Sequence, residues 1–492
     1  MENYNLYRLK NNFKIIKTYE ASLLDQKAQS MNNIPGIVLM EEASEKLFLS
    51  IIKDFKNFKN ENIAIISGWG NNGGDSLSLA RKLFFNNIKC DVYIFRDKKG
   101  SDLYNLQLNI LSTLDIKIID IDKLKDHIDD YTVIIDGIFG IGYKYRKDNY
   151  IENLFKIINI SKAKILSIDT PSGIDIDQNY SITADYTYSI GFLKEYFYSI
   201  NTRKKIGKIK NLKISFNINN IKTDNNVYYL NKIKKINLKK DNFVHKYTRG
   251  SCISIGGSKG QFGSIIFTAE SALKTGCGIS LVITEEDNVC YMNAMTKNII
   301  FDSFNNIFNY IDKYNTIIIG PGLKVNDKNK KIIEKLTEFD KQFILDASFF
   351  SIFNKEILFN FKKTPILTPH PKEFKTFFID ESLNLNSNTI DVVQKISDKY
   401  NCIIILKESF LTISIPNKHI FIYDNPMRIL AQAGSGDILT GIIGGLLSQD
   451  IEYEDAIIES IRIFYKIAGS FKKNNFLSYS QDKFIEKISY IN

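Results

Sequence analysis

Short runs of β-branched residues, each closed by glycine or aspartate and followed by a helical pattern, constrain this chain more than any other feature. In the first half they are AIISG (64–68), VIIDG (133–137) and ILSIDT (165–170). Continuous apolar runs of this length read as strands buried on both faces, and their alternation with helices predicts a parallel sheet. The second half repeats the style with different spacing: CISIGG (252–257), ISLVIT (279–284), TIIIG (316–320), QFILDA (342–347), PILTPH (365–370) and CIIILK (402–407), with helical periodicity over 264–275 and 438–449. Both halves are expected to be α/β. A length of 492 residues exceeds what one core serves. The stretch 217–242, rich in Asn and Lys, suits a connection, with YYL (228–230) as a short strand. Two domains are expected, 1–225 and 226–492.

Composition excludes several classes. With 44 % hydrophobic and 24 % charged residues the chain is too apolar to be disordered. The net charge of +10 is spread along the chain, and basic stretches lack interleaved aromatics for base stacking, so no nucleic-acid partner is expected. Five dispersed cysteines without a CxxC pair point to reduced thiols and a cytoplasmic location. Four histidines without an HxxxH pair argue against zinc. The N-terminus has no secretory signal pattern, and apolar runs such as 438–447 stop short of the ~18 residues of a membrane span, so a soluble protein is expected. A homo-oligomer is compatible with all of this.

The strand 64–68 runs into GWGNNGGD (68–75) and then a helix with Leu79, Ala80, Leu83 and Phe84 on one face. A glycine loop before a helix lets backbone N–H groups approach a phosphate, where the macrodipole also favours an anion. Asn71, Asn72 and Asp75 add side-chain oxygens. The spacing fits neither a GxGxxG fingerprint nor a P-loop. IIDGIFGIG (134–142) and IDTPSG (168–173) end strands that would meet this loop, because the carboxyl ends of parallel strands line the ligand crevice. Buried there, Asp136 and Asp169 need pairing, hydrogen bonds or a cation.

These motifs, with LLDQKAQSMNNIPGIVLMEEAS (23–44) before them, resemble the NAD(P)H-hydrate epimerase family, the YjeF N-terminal domain, over about residues 15–215. Asp25, Met40 and Glu41 match its opening. The resemblance implies a Rossmann-like three-layer α/β/α domain. It implies that Asn71, Asn72, Gly73, Gly74 and Asp75, together with Gly140, Ile141, Gly142, Tyr143, Lys144, Tyr145 and Arg146, contact the hydrated cofactor. It further implies that Asn72, Asp136 and Ser172 hold a potassium ion and that Asp169 is the substrate-contacting acid/base. Trp69 and Ser76 depart from the family, which has Pro or a small residue and Gly there.

In the second half, HKYTRGSCISIGGSKGQFGS (245–264) leads a strand through a glycine turn into a helix, and GPGL (320–323) ends another strand. Small-residue turns permit close approach of a ligand to the backbone. In TPHPKEF (368–374), Pro369 and Pro371 fix the backbone around His370, which can hydrogen-bond a ligand. Lys407 ends a strand where an ammonium suits a nucleotide phosphate. AGSGD (433–437) runs directly into a helical stripe of Ile438, Leu439, Ile442, Ile443, Leu446 and Leu447. Asp437 therefore sits at a helix start, where the Gly434–Gly436 amides can hold a transferring phosphoryl group while the carboxylate takes a proton from the attacking hydroxyl.

The ordered set GGS, GPGL, TPHP, LK and AGSGDILTG resembles the ADP-dependent NAD(P)H-hydrate dehydratases, a ribokinase-like family, over about 240–490. By resemblance Ser264, Gly322 and His370 contact the substrate, Lys407, Glu408, Ser409, Phe410, Leu411 and Gly436 contact ADP, and Asp437 is the acid/base. Magnesium would accompany the diphosphate. Ser264, Lys324, Ser348, Lys372 and Glu408 depart from the family's Ala, Gly, Asp, Gly and Gly. The order of the two halves resembles the bifunctional NAD(P)H-hydrate repair family. The expected activity is therefore epimerisation of the R and S hydrates of NADH and NADPH (NADHX and NADPHX) and ADP-dependent dehydration of the S form, with AMP and phosphate released. The rival expectation is a ribokinase-like small-molecule kinase carrying a non-catalytic N-terminal binding module.

Overall fold

The computed structural model describes residues 13–17, 20, 33–143, 147–174, 180–215, 226–231, 233, 235–236, 245–473 and 478–491. Two compact units emerge. One takes Phe13–Val227 with Leu385–Ile390, the other Tyr228–Asn384 with Asp391–Asn492. The six residues 385–390 belong with the first unit although the chain reaches them from the second, which local patterning does not announce.

In the first unit, strands Phe13–Ile16 (β1), Ile63–Ser67 (β2), Asp91–Ile94 (β3), Lys117–Asp120 (β4), Val133–Gly137 (β5), Lys164–Ile168 (β6), Tyr186–Ile190 (β7), Leu193–Lys194 (β8) and Lys208–Leu212 (β9) are present. Seven form one sheet in the order β4-β3-β2-β5-β6-β7-β9, and every pairing is parallel. β1 and β8 lie outside this seven-stranded sheet and pair with each other in parallel, matching Ile16 with Lys194. From β2 the chain builds outward to β3 and β4, then returns to build β5 on the other side, so a topological switch point opens between β2 and β5. All residues of β2 and β5 are buried, as their unbroken apolar runs require.

Helix α1 (Gly36–Asp54) packs on α2 (Asn71–Phe85). Glu41 on α1 ties them: it pairs with Arg81 and, at 3.1 Å, with Lys82, and accepts from Gln107 at 2.7 Å. Burial works against this carboxylate, yet Arg81, Gln107 and Lys82 hold it down at about 2.

In the second unit, Val227–Tyr229 (β10) is the short strand expected near 228. It is followed by Ser251–Ile255 (β11), Ile279–Thr284 (β12), Ile300–Ser303 (β13), Thr316–Ile319 (β14), Gln342–Leu345 (β15), Ile366–Leu367 (β16), Ile403–Lys407 (β17), Leu411–Ser414 (β18) and Ile420–Tyr423 (β19). The order is β13-β12-β11-β14-β15-β16-β17-β18-β19-β10, parallel from β13 to β17 and antiparallel from β17 to β19. Its switch point lies between β11 and β14. Helices α3 (Phe262–Lys274), α4 (Pro371–Phe377) and α5 (Ser435–Leu447) follow β11, β16 and β19.

Helix α5 is buried on every side over Ile438–Leu447. Glycines make this possible: a Cβ on Gly441 would overlap the Thr268 carbonyl oxygen, and one on Gly445 would stand 2.5 Å from that of Ala272. Helices α3 and α5 thus meet backbone to backbone, Gly441 on Thr268 and Gly445 on Ala272. One turn earlier, the same i, i+4 spacing sets Asp437 beside Ser264. Among the described residues no helix is long and apolar enough to cross a membrane.

Candidate active sites

At the first switch point the string NNGGD is not a loop. The loop is Gly68-Trp69-Gly70, and α2 begins at Asn71, so NNGGD forms its first turn. Gly73 and Gly74 serve close packing: a Cβ on the first would overlap the Gly68 carbonyl, and on the second would meet Met40 Cε at 2.5 Å. The first intrahelical bond runs from the Gly74 N–H to the Gly70 carbonyl at 3.1 Å, so the amides before it have no intrahelical acceptor and point toward the helix N-terminus, where an anion is favoured. Asn71 is exposed and accepts from Ser101 at 2.9 Å. The departures from the family fit. Ser76 fills the space above Gly137 and donates to the Gly73 carbonyl at 2.7 Å, while Trp69 packs edge-on against Phe95 and Phe139 at 5.1 and 5.2 Å.

Asn72 is buried, and both its amide oxygen and its amide nitrogen lack a hydrogen-bond partner. Asp136 is fully buried at the end of β5, and burial raises its carboxyl above the usual range despite donors on both oxygens. The Ser172 hydroxyl donates to it at 2.5 Å, the Ser172 N–H at 2.9 Å, Ser167 at 2.8 Å and the Ile138 N–H at 3.2 Å. An orphaned amide and a desolvated carboxylate, all with hard oxygen donors, fit a monovalent cation. Gly140 joins this group: a Cβ there would lie 3.4 Å from both Asn72 Cβ and Asp169 Oδ2. Tyr143 stacks on Phe139 with centroids 4.3 Å apart, and its N–H bonds the Gly140 carbonyl at 3.1 Å. Ile141 and Gly142 complete that turn, whereas Asp25, Lys144, Tyr145 and Arg146 lie outside the described residues.

Asp169 follows β6 with φ of +66°, a left-handed conformation that costs a non-glycine residue free energy and persists where the surroundings hold it. Its Oδ1 pairs with Lys194 and accepts the Ile190 N–H at 3.1 Å. Lys194 lies in GFLKEYF (191–197), a stretch with no motif signal of its own.

At the second site the glycine turn after β11 and GPGL after β14 bond each other, Gly257 N–H to Pro321 O at 3.1 Å and Ser258 N–H to Gly322 O at 2.8 Å. Gly322 has φ of +62°, and a Cβ there would meet Gln261 just before Ser264. Asp437 lies in the first turn of α5, after Gly434 at φ +88°. Burial, with the Asp346 charge beside it, pushes Asp437 up to about 7, against the opposing pull of Lys407 and the Ser264 hydroxyl. Lys407 Nζ lies 2.8 Å from Asp346 Oδ1, and a Cβ on Gly436 would be 3.3 Å from that nitrogen. Thr440 donates to Asp346 Oδ2 at 2.6 Å. Glu373 stands close enough to Asp346 and Lys407 to feel both; burial, then Asp346, raises its carboxyl. Asp346 and Glu373 are the members of this cluster that no motif singles out. A signal existed for the first, since ILDA ends a strand as VIIDG does.

His370 caps α4: its Nδ1 accepts the N–H groups of Lys372 and Glu373 at 3.1 and 3.3 Å, leaving Nε2 outward, 3.3 Å from Glu373 Oε1. Lys372 and Lys324, where glycine was expected, are both exposed. Glu408, Ser409 and Phe410 form the β17–β18 hairpin turn. Phe410 and Leu411 are buried, and Leu411 belongs to the core of the unit, so only backbone is available to a ligand there. Among the described residues no three acidic, histidine or cysteine side chains are arranged to hold a metal, and Asp346 is committed to Lys407. Asp346, paired with Lys407 and bonded by Thr440, is thus already engaged within the protein.

Fold and sites define a two-unit α/β enzyme in which each unit gathers candidate residues at the carboxyl ends of its parallel strands. Residues 36–196 match the family described as YjeF-related protein N-terminus, and residues 252–490 match NAD(P)H-hydrate dehydratase. The bifunctional NAD(P)H-hydrate repair enzyme of Dictyoglomus turgidum is 31 % identical over 472 residues, covering 90 % of this chain and 91 % of the relative. That of Helicobacter pylori is 28 % identical over 492 residues, covering 97 % and 100 %. A crystal structure of the ADP/ATP-dependent NAD(P)H-hydrate dehydratase from Bacillus subtilis aligns with a TM-score of 0.46 at 21 % identity, over 51 % of this chain and 92 % of that one. The chain belongs to the bifunctional NAD(P)H-hydrate repair enzyme family.

Proposed function

We propose that the first unit interconverts the R and S hydrates of NADH and NADPH and that the second dehydrates the S form, consuming ADP. The observation that carries the reading is the setting of Asp437: a half-buried carboxyl in the first turn of a glycine-led helix, faced by Ser264 and by Lys407, with burial and the Asp346 charge raising its hold on a proton. Such a group takes the proton of the hydrate's hydroxyl as that oxygen attacks the β-phosphorus of ADP and AMP departs. The ring nitrogen then expels phosphate, and loss of a proton from the neighbouring carbon restores the ring double bond. Lys407 and the Gly434–Gly436 amides supply the positive field for the diphosphate. Magnesium would accompany the diphosphate and, when bound, would offset its charge.

In the first unit Asp169 serves as the acid/base: a proton passes through it to the ring hydroxyl, which leaves as water. Water adding to the opposite face returns the proton to Asp169. Potassium would be held by Asn72, Asp136 and Ser172; when bound it supplies a fixed positive charge beside the loop. Five free cysteines, three of them buried, favour a reducing compartment such as the cytoplasm. The test is incubation with S-NADHX and ADP while following absorbance of reformed NADH; an intact protein giving no ADP-dependent recovery overturns the dehydratase reading. Supplying the R form tests the epimerase.

A further inference from the structure

We infer that Lys194 is the positioning residue of the epimerase site, fixing Asp169 so that Oδ2 alone is presented to the substrate. The inference rests on the epimerase reading above.

Lys194 is fully buried in β8, a strand of two residues whose place is set by its pairing with β1. A buried ammonium is costly unless its donors are met. Here it pairs with Asp169 Oδ1, reaches the Asp169 carbonyl at 3.4 Å and donates to Ser189 Oγ at 2.7 Å. The rings of Phe192 and Phe197 stand 5.2 and 5.6 Å from it. Oδ1 also accepts the Ile190 N–H and so carries two donors. Oδ2 has no hydrogen-bond partner among the described residues and faces Gly140 and Asn72. The two oxygens are thus divided between anchoring and chemistry. The division matters because Asp169 sits at positive φ, a conformation that needs outside support to persist. The ammonium also balances the carboxylate left behind when the proton has gone to the departing hydroxyl.

The test uses the full chain with R-NADHX and S-NADHX in parallel, each with ADP. Wild type must recover NADH from both; failure with R alone overturns the epimerase reading, before Lys194 is in question. Lys194→Met should lower kcat for the R form by roughly 100-fold, leave KM within about twofold, and leave recovery from the S form unchanged. In an Asp169→Asn background Lys194→Met should cause no further loss, because it acts through Asp169. Ser189→Ala, which keeps both charges, should lower the same kcat by about threefold; if Lys194→Met does not fold, this variant decides. Epimerisation kept within threefold by a folded Lys194→Met, a loss confined to KM, an additive loss in the double variant, or an unaffected Ser189→Ala in place of an unfolded Lys194→Met would each overturn the inference.

Discussion

Lys407 Nζ stands 2.8 Å from Asp346 Oδ1 at the carboxyl ends of β17 and β15, and this ion pair places a cation between two carboxyls that would otherwise oppose each other, Asp346 and Asp437. Asp346 is almost fully buried and also receives Thr440. The site is therefore built around a charge that cannot lose its partner cheaply. Lys407→Met should destabilise the second unit by about 3–5 kcal/mol without any nucleotide present, because a buried carboxylate is left uncompensated. Urea unfolding of the ligand-free protein checks this; unchanged stability would show that Lys407 serves the nucleotide alone.

Asp437→Asn should lower ADP-dependent NADH recovery from S-NADHX by about 10³-fold with KM nearly unchanged. Epimerisation of the R form, followed separately, should persist, since its residues lie in the other unit.

The pH dependence follows from the raised carboxyl of Asp437. Dehydration needs the carboxylate, so kcat should fall as pH drops below about 7. Stability moves the other way. The native state holds this proton more tightly than the unfolded chain, so its contribution is present near pH 4 and lost as pH rises through about 7. Asp437→Asn removes the titration, and its melting temperature should exceed wild type by about 5 °C at pH 8 and converge toward it at pH 5. Melting curves at the two values decide it.

Gly441→Ala should cost about 3 kcal/mol, because its Cβ meets backbone oxygen of Thr268, which has no rotamer to give. Dehydratase activity should fall with it as Ser264 and Asp437 shift out of step. Gly142→Ala, at a position with open space around it, is the matched control and should leave stability unchanged.

Potassium should raise the first unit's melting temperature relative to tetramethylammonium at equal ionic strength, by mass action on the native state. Asn72→Ala should abolish the difference, since it removes a buried amide oxygen that has no protein partner. A thermal shift series reads this without reference to activity.

Much of this was legible in the chain itself. Strands such as β5 and β12 match their apolar runs residue for residue, and the strand-end residues Asp136, Asp169 and Lys407 land where the parallel-sheet rule places them. Local pattern failed where packing set the outcome. NNGGD reads as a loop because glycine is a poor helix former, yet it is helix because only glycine fits against Gly68 and Met40. The family resemblance puts Phe410 and Leu411 among the nucleotide contacts, and the hairpin that buries both side chains is a product of strand pairing.

Sequence alone determined the two α/β units and the order of the glycine turns, and it singled out Asp437 and Asp169 as candidate acids, because strand periodicity and turn chemistry are local properties of the backbone. Only the tertiary structure decided which partners those acids have. Lys194 reaches Asp169 across β8, and Asp346 reaches Asp437 across the sheet; contacts between residues 25 and 91 positions apart depend on sheet order and burial, which no local pattern encodes.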